Sequence, residues 1–236
     1  MTKPETFRTV GRDLERRLCA YALSASAAGI GMVSGTSAEA EVVYTPTQVT
    51  ITRGSLPIDL NTDGIDDFIL VDNFYFAPRS RFPFLGGRRL VLGGNASASA
   101  IPFNQEIAVL NSGSVIGSTR AFKNVHEPRV PMAAALQIYH GSTGTCCLSF
   151  VGQWANVKNK YLGLKFQING QTHFGWARVT VRVFEDQFFL GRVNATLTGY
   201  AYETNPNTAI VAGDTGGTST VTSKHSLGRL ARGVSH

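Results

Sequence analysis

The C-terminal half of the chain contains strand-like segments joined by turns that dictate how they must pair. The segment Tyr161–Ile168 is followed directly by Asn169-Gly170, and residues 173–184 then alternate between apolar and polar side chains. Asn-Gly is a preferred centre of a two-residue β-hairpin, because both residues tolerate a positive φ. A second turn, at Glu185-Asp186, leads into another alternating segment at residues 188–203. The pattern predicts three consecutive antiparallel strands.

Runs of β-branched and aromatic residues, separated by turn residues, extend this pattern through the rest of the chain. Residues 77–105 are rich in Gly, Arg, Pro and Ser, and we interpret them as a long loop around one short strand at Arg89–Leu92. The sequence therefore predicts an all-β domain over residues 41–213, an antiparallel β-sandwich or a jelly-roll-like fold. The further strands are expected at residues 42–52, 67–76, 106–111 and 147–152.

Residues 1–40 have the features of a signal peptide. A polar start that ends in Arg16–Arg17 precedes the uncharged apolar run Leu18–Val33, and the small residues Ala38 and Ala40 follow it. This order is typical of a leader that is cleaved after export. The arginine pair also permits the twin-arginine route, so the choice of export route stays open. We expect a secreted or cell-surface protein with no stable membrane span once the leader is removed.

Charge and cysteine content exclude some classes of partner and site. The formal net charge is +6, but the basic residues are scattered apart from four arginines within residues 79–89. A nucleic-acid surface needs a dense basic stripe or a recognisable motif, so we expect no nucleic-acid partner. Cys146 and Cys147 are adjacent, which supports neither a zinc site nor a disulfide framework, and we favour two thiols over a bond between them.

The segment Asp59–Asp67 carries the strongest chemical signal in the sequence. Oxygen-bearing side chains occupy its first, third, fifth and ninth positions, and Gly64 at the sixth position permits a sharp turn. Ca²⁺ prefers about six to eight oxygen ligands from carboxylates, amides and main-chain carbonyls. The segment therefore predicts a calcium-binding loop between two strands. The predicted ligands are Asp59, Asn61, Asp63, the main-chain carbonyl of Ile65, and Asp67.

This loop differs from the helical EF-hand. Leu70 stands where the EF-hand has its bidentate glutamate, and the loop runs straight into an apolar strand. In the pattern D-x-N-x-D-G-x-x-D followed by an apolar residue, it resembles the calcium loops of FG-GAP (integrin-type) and thrombospondin-type repeats. Those families use several copies and this chain has one, so the resemblance implies the ion site alone.

The alternative interpretation of the same segment is an acidic β-turn without an ion. Asp, Asn and Gly are common turn residues, and they alone do not require a metal. Four carboxylates within nine residues nevertheless repel one another unless a cation is present, so we favour calcium. Whether Asp66 joins the ligand set stays open.

Three segments of the C-terminal half form a recognisable series. They are YLGLKF at residues 161–166, HFGWARV at residues 173–179 and ATLTGYAYET at residues 195–204. In these segments the chain resembles exported bacterial proteins of the PEP-CTERM type. The resemblance covers roughly residues 41–213 and implies a secreted β-domain that is followed by a sorting tail.

The tail itself departs from that family's pattern. It contains no Pro-Glu-Pro, and Arg229 and Arg232 stand where a continuous apolar run would lie. The sorting tail is therefore degenerate or missing. We interpret residues 214–236 as a flexible polar tail, because Gly, Thr and Ser dominate its first part.

These features favour an exported, calcium-binding structural or interaction protein of the bacterial cell surface, extracellular matrix or a filament. Edge strands such as Glu41–Thr52 offer a way to pair with a second copy and build a homo-polymer. The alternative is a calcium-dependent carbohydrate-binding module whose partner is a surface polysaccharide. Aromatic side chains would then supply stacking platforms. The candidate platforms are Trp154, Trp176, Tyr161 and Tyr200.

The sequence lacks a catalytic set. His126, His140 and His173 show no metal-ligand spacing, and the nucleophile-elbow pattern G-x-S-x-G is absent near Ser142. Asp66 has no identifiable partner for a role as a base. We therefore expect no enzymatic activity.

Overall fold

The computed structural model describes residues 41–77, 84–139, 145–188 and 190–216, and the predicted leader lies outside these ranges. Within them every regular element is a strand, and no helix is long and apolar enough to cross a membrane. The strands are β1 (Val42–Thr45), β2 (Val49–Ile51), β3 (Gly54–Ile58), β4 (Phe68–Ala77), β5 (Phe84–Gly94), β6 (Ser99–Ala100), β7 (Pro102–Phe103), β8 (Glu106–Ile107), β9 (Val115–Ile116), β10 (Lys123–Asn124), β11 (Val130–Tyr139), β12 (Thr145–Val151), β13 (Lys160–Ile168), β14 (Gln171–Glu185), β15 (Gly191–Glu203) and β16 (Ile210–Val211).

The strands form two principal antiparallel sheets. One has seven strands in the order β1-β15-β14-β13-β6-β10, with β2 also pairing with β15. The other has five strands in the order β12-β11-β5-β4-β3. Two further two-stranded pairs join β7 to β8 and β9 to β16. The predicted all-β, antiparallel, sandwich-type fold is confirmed.

The main core lies between the two sheets. Leu70 and Leu90 of the five-stranded sheet share one buried cluster with Phe166, Val181 and Leu197 of the seven-stranded sheet. Since apolar side chains from both sheets enter this cluster, their burial supplies the main force that holds the layers together.

A second apolar cluster covers part of the seven-stranded sheet. Phe174 and Trp176 of β14 pack there with Tyr161 of β13 and with Ile116 and Ile210 from the β9–β16 pair. Both faces of β14 are therefore buried near this point, where residues 173–177 are all buried. The cluster ties the C-terminal part of the described chain onto the sheet.

The predicted hairpin turn is confirmed. Asn169 and Gly170 have φ values of 51° and 78°. Both residues are therefore left-handed, as a two-residue hairpin turn centred on Asn-Gly requires. Ile168 pairs with Gln171 on either side of it, and the pairing continues to Lys160 and Val179. Strands β13, β14 and β15 are consecutive neighbours, as the alternating pattern predicts.

A β-bulge changes which side chains of β15 face the main core. The register with β14 shifts between the pairs Ala177–Tyr200 and Val179–Leu197, so β15 has one extra residue there. Gly199 adopts a φ of 146°, and a Cβ on it would lie 2.7 Å from the Tyr44 hydroxyl oxygen. Glycine is required at this position, because the bulge leaves neither the conformation nor the space for a side chain.

Several strand predictions need correction. The expected strand at 42–52 is divided into β1 and β2 around Pro46, which cannot donate a ladder hydrogen bond. The expected strand at 106–111 is limited to β8, two residues long. Residues 77–105 are not a long loop, because β5 pairs with β4 over ten positions. The long strand β11 has no counterpart in the sequence prediction.

Candidate functional site

The predicted calcium loop is the connection between β3 and β4. These strands are antiparallel neighbours, and their last pair is Ile58 with Phe68. The Asp67 amide donates to the Ile58 carbonyl at 3.0 Å and closes the loop at the end of the β3–β4 pair. Both anchoring side chains, Ile58 and Phe68, are 1% exposed, so the buried core fixes the two ends of the loop.

Asp59 organises the far side of the loop. One of its carboxylate oxygens accepts the Gly64 amide at 2.8 Å, and the other accepts the Asp63 amide at 3.3 Å. Thr62 and Gly64 have positive φ values of 59° and 86°, which curl the main chain around this carboxylate. The predicted turn at Gly64 is confirmed, and its sharpness follows from the left-handed backbone.

The side chains of Asn61 and Asp63 contact each other within this turn of the main chain. The Asn61 amide nitrogen donates to Asp63 Oδ2 at 2.8 Å, and the Ile65 main-chain amide donates to Asp63 Oδ1 at 2.8 Å. Asn61 Oδ1 is buried, and within the described residues it has no hydrogen-bond donor. Burying an amide oxygen without a partner costs about 1–3 kcal/mol, so this atom points to a missing electropositive neighbour.

Asp67 is the buried member of the predicted set, with 3% of its surface exposed. Its Oδ2 accepts the Leu60 amide at 2.9 Å, and its Oδ1 accepts the Asn95 side-chain amide at 3.4 Å. The pKa of Asp67 is raised from 3.8 to about 6, chiefly by burial and also by the nearby carboxylates of Asp59 and Asp63, whereas the hydrogen bonds from Leu60 and Asn95 lower it. The site therefore concentrates negative charge around a poorly solvated carboxyl group.

Asn95 is a site residue that the sequence prediction missed. Its main-chain amide donates to the Asp67 carbonyl at 3.0 Å, and its side chain contacts the Asp67 carboxylate. Its own Oδ1 accepts the Ser97 amide at 3.0 Å and the Ser97 hydroxyl at 2.8 Å, which fixes its orientation. Asn95 lies 28 residues after Asp67, and no local spacing rule links the two positions.

The remaining loop positions are open to solvent. Ile65, the predicted carbonyl ligand, has a side chain that is 63% exposed, and Asp66 is also exposed. Among the described residues, no three His, Cys, Asp or Glu side chains are grouped closely enough to hold a metal ion. The three predicted carboxylates, Asp59, Asp63 and Asp67, therefore do not form such a group by themselves, and the predicted set also needs an amide oxygen and a main-chain carbonyl.

The aromatic residues proposed as carbohydrate platforms lie elsewhere. Trp154 and Trp176 are fully buried, and Tyr161 is 7% exposed. The Trp154 indole donates to the Ile107 carbonyl at 3.0 Å, and the Trp176 indole donates to the Asp214 carbonyl at 3.1 Å. These three side chains belong to the core and cannot stack on a sugar, which corrects that assignment. Tyr200 is half-buried.

The two described histidines have structural contacts. His173 is buried, and its Nδ1 lies 2.9 Å from the Glu203 carbonyl. His126 is exposed, and its Nδ1 lies 2.9 Å from the Gly94 carbonyl. His140 and Ser142 lie outside the described residues.

Comparisons with models of protein families, with curated proteins and with solved structures each find no match to this chain. The functional argument therefore depends on the loop and the strands themselves.

The raised pKa of Asp67 predicts an unusual pH dependence for the metal-free protein. Because its folded-state pKa of about 6 exceeds the ordinary value of 3.8, its contribution to stability is complete below about pH 4. That contribution is lost as the pH rises through 6, by an amount on the order of 3 kcal/mol. Urea unfolding of the chelator-treated protein should show this loss. Asp67→Asn should remove this part of the pH dependence, and an unchanged profile in the variant would contradict the assignment.

Proposed function

We propose that this protein is an exported calcium-binding structural or interaction protein of the bacterial cell surface, extracellular matrix or a filament. The observation that carries the proposal is the buried Asn61 Oδ1, which has no donor among the described residues and belongs to a side chain that contacts the Asp63 carboxylate. An oxygen in this position can bind a cation, whereas its burial without a hydrogen-bond donor costs free energy.

The loop residues fit Ca²⁺ by the chemistry of their donors. Asp59, Asn61, Asp63 and Asp67 supply side-chain oxygens, and the Ile65 carbonyl supplies a main-chain oxygen. A bound Ca²⁺ would supply positive charge that offsets the repulsion among the three carboxylates. The loop amides already hold all three carboxylates through hydrogen bonds, so their positions do not depend on the ion alone.

The position of the loop favours a structural role for the ion. The loop connects two adjacent strands of the five-stranded sheet, and its two ends enter the buried core. Fixing the loop would therefore stabilise the β3–β4 hairpin at the edge of that sheet. Asp67 extends this effect to β5, because Asn95 follows the end of that strand.

The choice between an interaction protein and a carbohydrate-binding module rests on the aromatic residues. Three of the four candidate stacking platforms are buried in the core, so the structural proposal has the better support. The proposal that the protein is exported depends on the leader-like residues 1–40. The proposal that it binds a second copy of itself depends on the edges of its sheets.

Calorimetric titration of Ca²⁺ into the chelator-stripped protein, residues 41–236, tests this function. We expect saturable binding together with a raised melting temperature, because a ligand that binds only the folded state stabilises it. Asp63→Ala should abolish both effects. The matched control is Ile65→Ala, which shortens a side chain that is 63% exposed in the same loop and leaves the predicted main-chain carbonyl ligand in place. Absence of binding in the unmodified protein would refute the calcium site.

A further inference from the structure

The edges of the two sheets differ in how well they are protected. At one edge of the five-stranded sheet, β3 contains Pro57, which has no amide to donate to an added strand. At one edge of the seven-stranded sheet, Gly216 lies so close to β1 that a Cβ on it would be 2.4 Å from the Val42 carbonyl oxygen. At the other edge, β10 is two residues long and begins with Lys123. Short length, proline, charge and coverage each oppose edge-to-edge pairing.

Strand β12 lacks the proline and the charges of these edges, and a bulge shortens its regular part. It forms the other edge of the five-stranded sheet, and among the described strands it pairs with β11 alone. Its seven residues include no proline, and residues 141–157 include no charged side chain. Phe150 and Val151 are 43% and 42% exposed, and Ser149 between them is also exposed. An uncharged apolar edge strand presents unpaired main-chain groups to any other extended segment.

The exposed Phe150 lies on the core side of its sheet. It pairs with Ala135, which is fully buried and would contact a Cβ on Gly191 of the opposite sheet at 2.7 Å. Leu148, two residues earlier on the same side, already packs partly against the main core. Phe150 is therefore the last side chain of an inner apolar row, and it is exposed because no described strand lies beyond β12 in this sheet.

We propose that β12 pairs antiparallel with β12 of a second copy of this chain. An added strand would satisfy the open main-chain groups and cover Phe150, thereby extending the inner apolar row. A second copy fits electrostatically, because a twofold pairing places identical segments opposite each other and this segment has no charges to repel. Such pairing would join two five-stranded sheets into one continuous sheet.

The regular part of this edge is short. Cys147 has a φ of 60°, and the register with β11 shifts between the pairs Leu136–Ser149 and Ile138–Cys146, so Cys147 and Leu148 form a bulge. Pairing would therefore use residues 149–151, and the small contact predicts a reversible dimer whose population depends on concentration. This inference does not depend on the calcium site, which lies in the β3–β4 connection of the same sheet.

Sedimentation velocity of the exported protein, purified from cells that express the full chain, tests the proposal. The unmodified protein should approach twice its monomer mass as its concentration rises, and Phe150→Lys should remain a monomer. Phe103→Lys is the matched control, because Phe103 is 51% exposed in the short strand β7. This substitution should leave dimerisation unchanged. If Phe150→Lys fails to fold, Val151→Lys at the same edge replaces it.

Two results would overturn the proposal. The first is an unmodified protein that stays monomeric at the highest soluble concentration. The second is equal dissociation by Phe150→Lys and by Phe103→Lys, which would place the contact elsewhere. The measurement is made with calcium and again with chelator, so that loss of the ion site and loss of the strand contact are distinguished.

Discussion

Replacing Arg88 with methionine is expected to destabilise the protein by about 3–5 kcal/mol at about pH 8. Arg88 of β5 donates from Nε to Asp72 Oδ1 at 3.0 Å, and its Nη2 lies 2.7 Å from Asp72 Oδ2. The same Nη2 donates to the Asp72 main-chain carbonyl at 3.0 Å. The Asp72 side chain is fully buried, so the substitution would leave a carboxylate in the core without its nearest cation.

The loss should be smaller at low pH. Burial raises the pKa of Asp72 above its ordinary value even with Arg88 beside it, and removing Arg88 would raise that pKa further. A raised folded-state pKa favours the protonated carboxyl, so stability is retained at low pH and lost as the pH rises. At about pH 5 the variant can protonate Asp72 and recover part of its stability.

Urea unfolding of Arg88→Met at both pH values measures this effect. Arg89→Met is the matched control, because the neighbouring arginine lies 4.5 Å above the Tyr75 ring and bonds only to Asn73 among the contacts described. Its loss should cost about 1 kcal/mol with little pH dependence. Adding Asp72→Asn to Arg88→Met should restore part of the stability at about pH 8. Equal losses in the two single variants would contradict the buried-pair argument.

Truncating Trp176 to alanine should cost about 3–5 kcal/mol, because it leaves a large cavity in the second apolar cluster. The ring centroid of Trp176 lies 5.3 Å from that of Tyr161 and 5.7 Å from that of Tyr44. The indole nitrogen also donates a hydrogen bond to the Asp214 main-chain carbonyl at 3.1 Å, and this bond anchors the segment after β16 to the sheet. The variant would lose packing and a main-chain anchor together.

The chain has two tryptophans, so the fluorescence of the fully buried Trp154 reports unfolding of the Trp176→Ala variant. Trp176→Phe keeps a ring but removes the indole donor, and we expect a smaller loss on the order of 2 kcal/mol. Unchanged stability in Trp176→Ala would instead indicate that the Trp176 side chain is exposed, and would favour its role as a stacking platform for a sugar. The measurement therefore separates a core residue from a binding platform.

The sequence predicted the strands whose patterns are local. Strands β13, β14 and β15 follow from alternation and from Asn169-Gly170, and β4 follows from its aromatic and β-branched residues. Strand β5 was predicted only at Arg89–Leu92, because its glycines and arginines resemble a loop. In β11, Met132 and three alanines replace the usual β-branched residues. Both strands are central in their sheet, where cross-strand packing outweighs propensity.

For the candidate site, the sequence predicted the part that lies within one turn. Asp59 and Gly64 occupy the positions that the spacing requires, and the positive φ of Gly64 is confirmed. The role of Asn95 was not predictable, because its contact with Asp67 exists only once β4 and β5 have paired. The burial of Asp67 likewise depends on the assembled core and has no signature in the loop itself.

The pairing of β15 with both β1 and β2 determines when this protein can finish folding. Glu41 donates its main-chain amide to the Glu203 carboxylate at 3.1 Å, across a sequence separation of 162 residues. By contrast, the hydrogen bond from Asp67 to Ile58 forms within one local loop. Non-local pairing slows folding, because the intervening chain must be ordered first. A chain emerging from a ribosome or a translocation pore can close the β3–β4 loop early, but it cannot complete the larger sheet until residues 191–203 have followed.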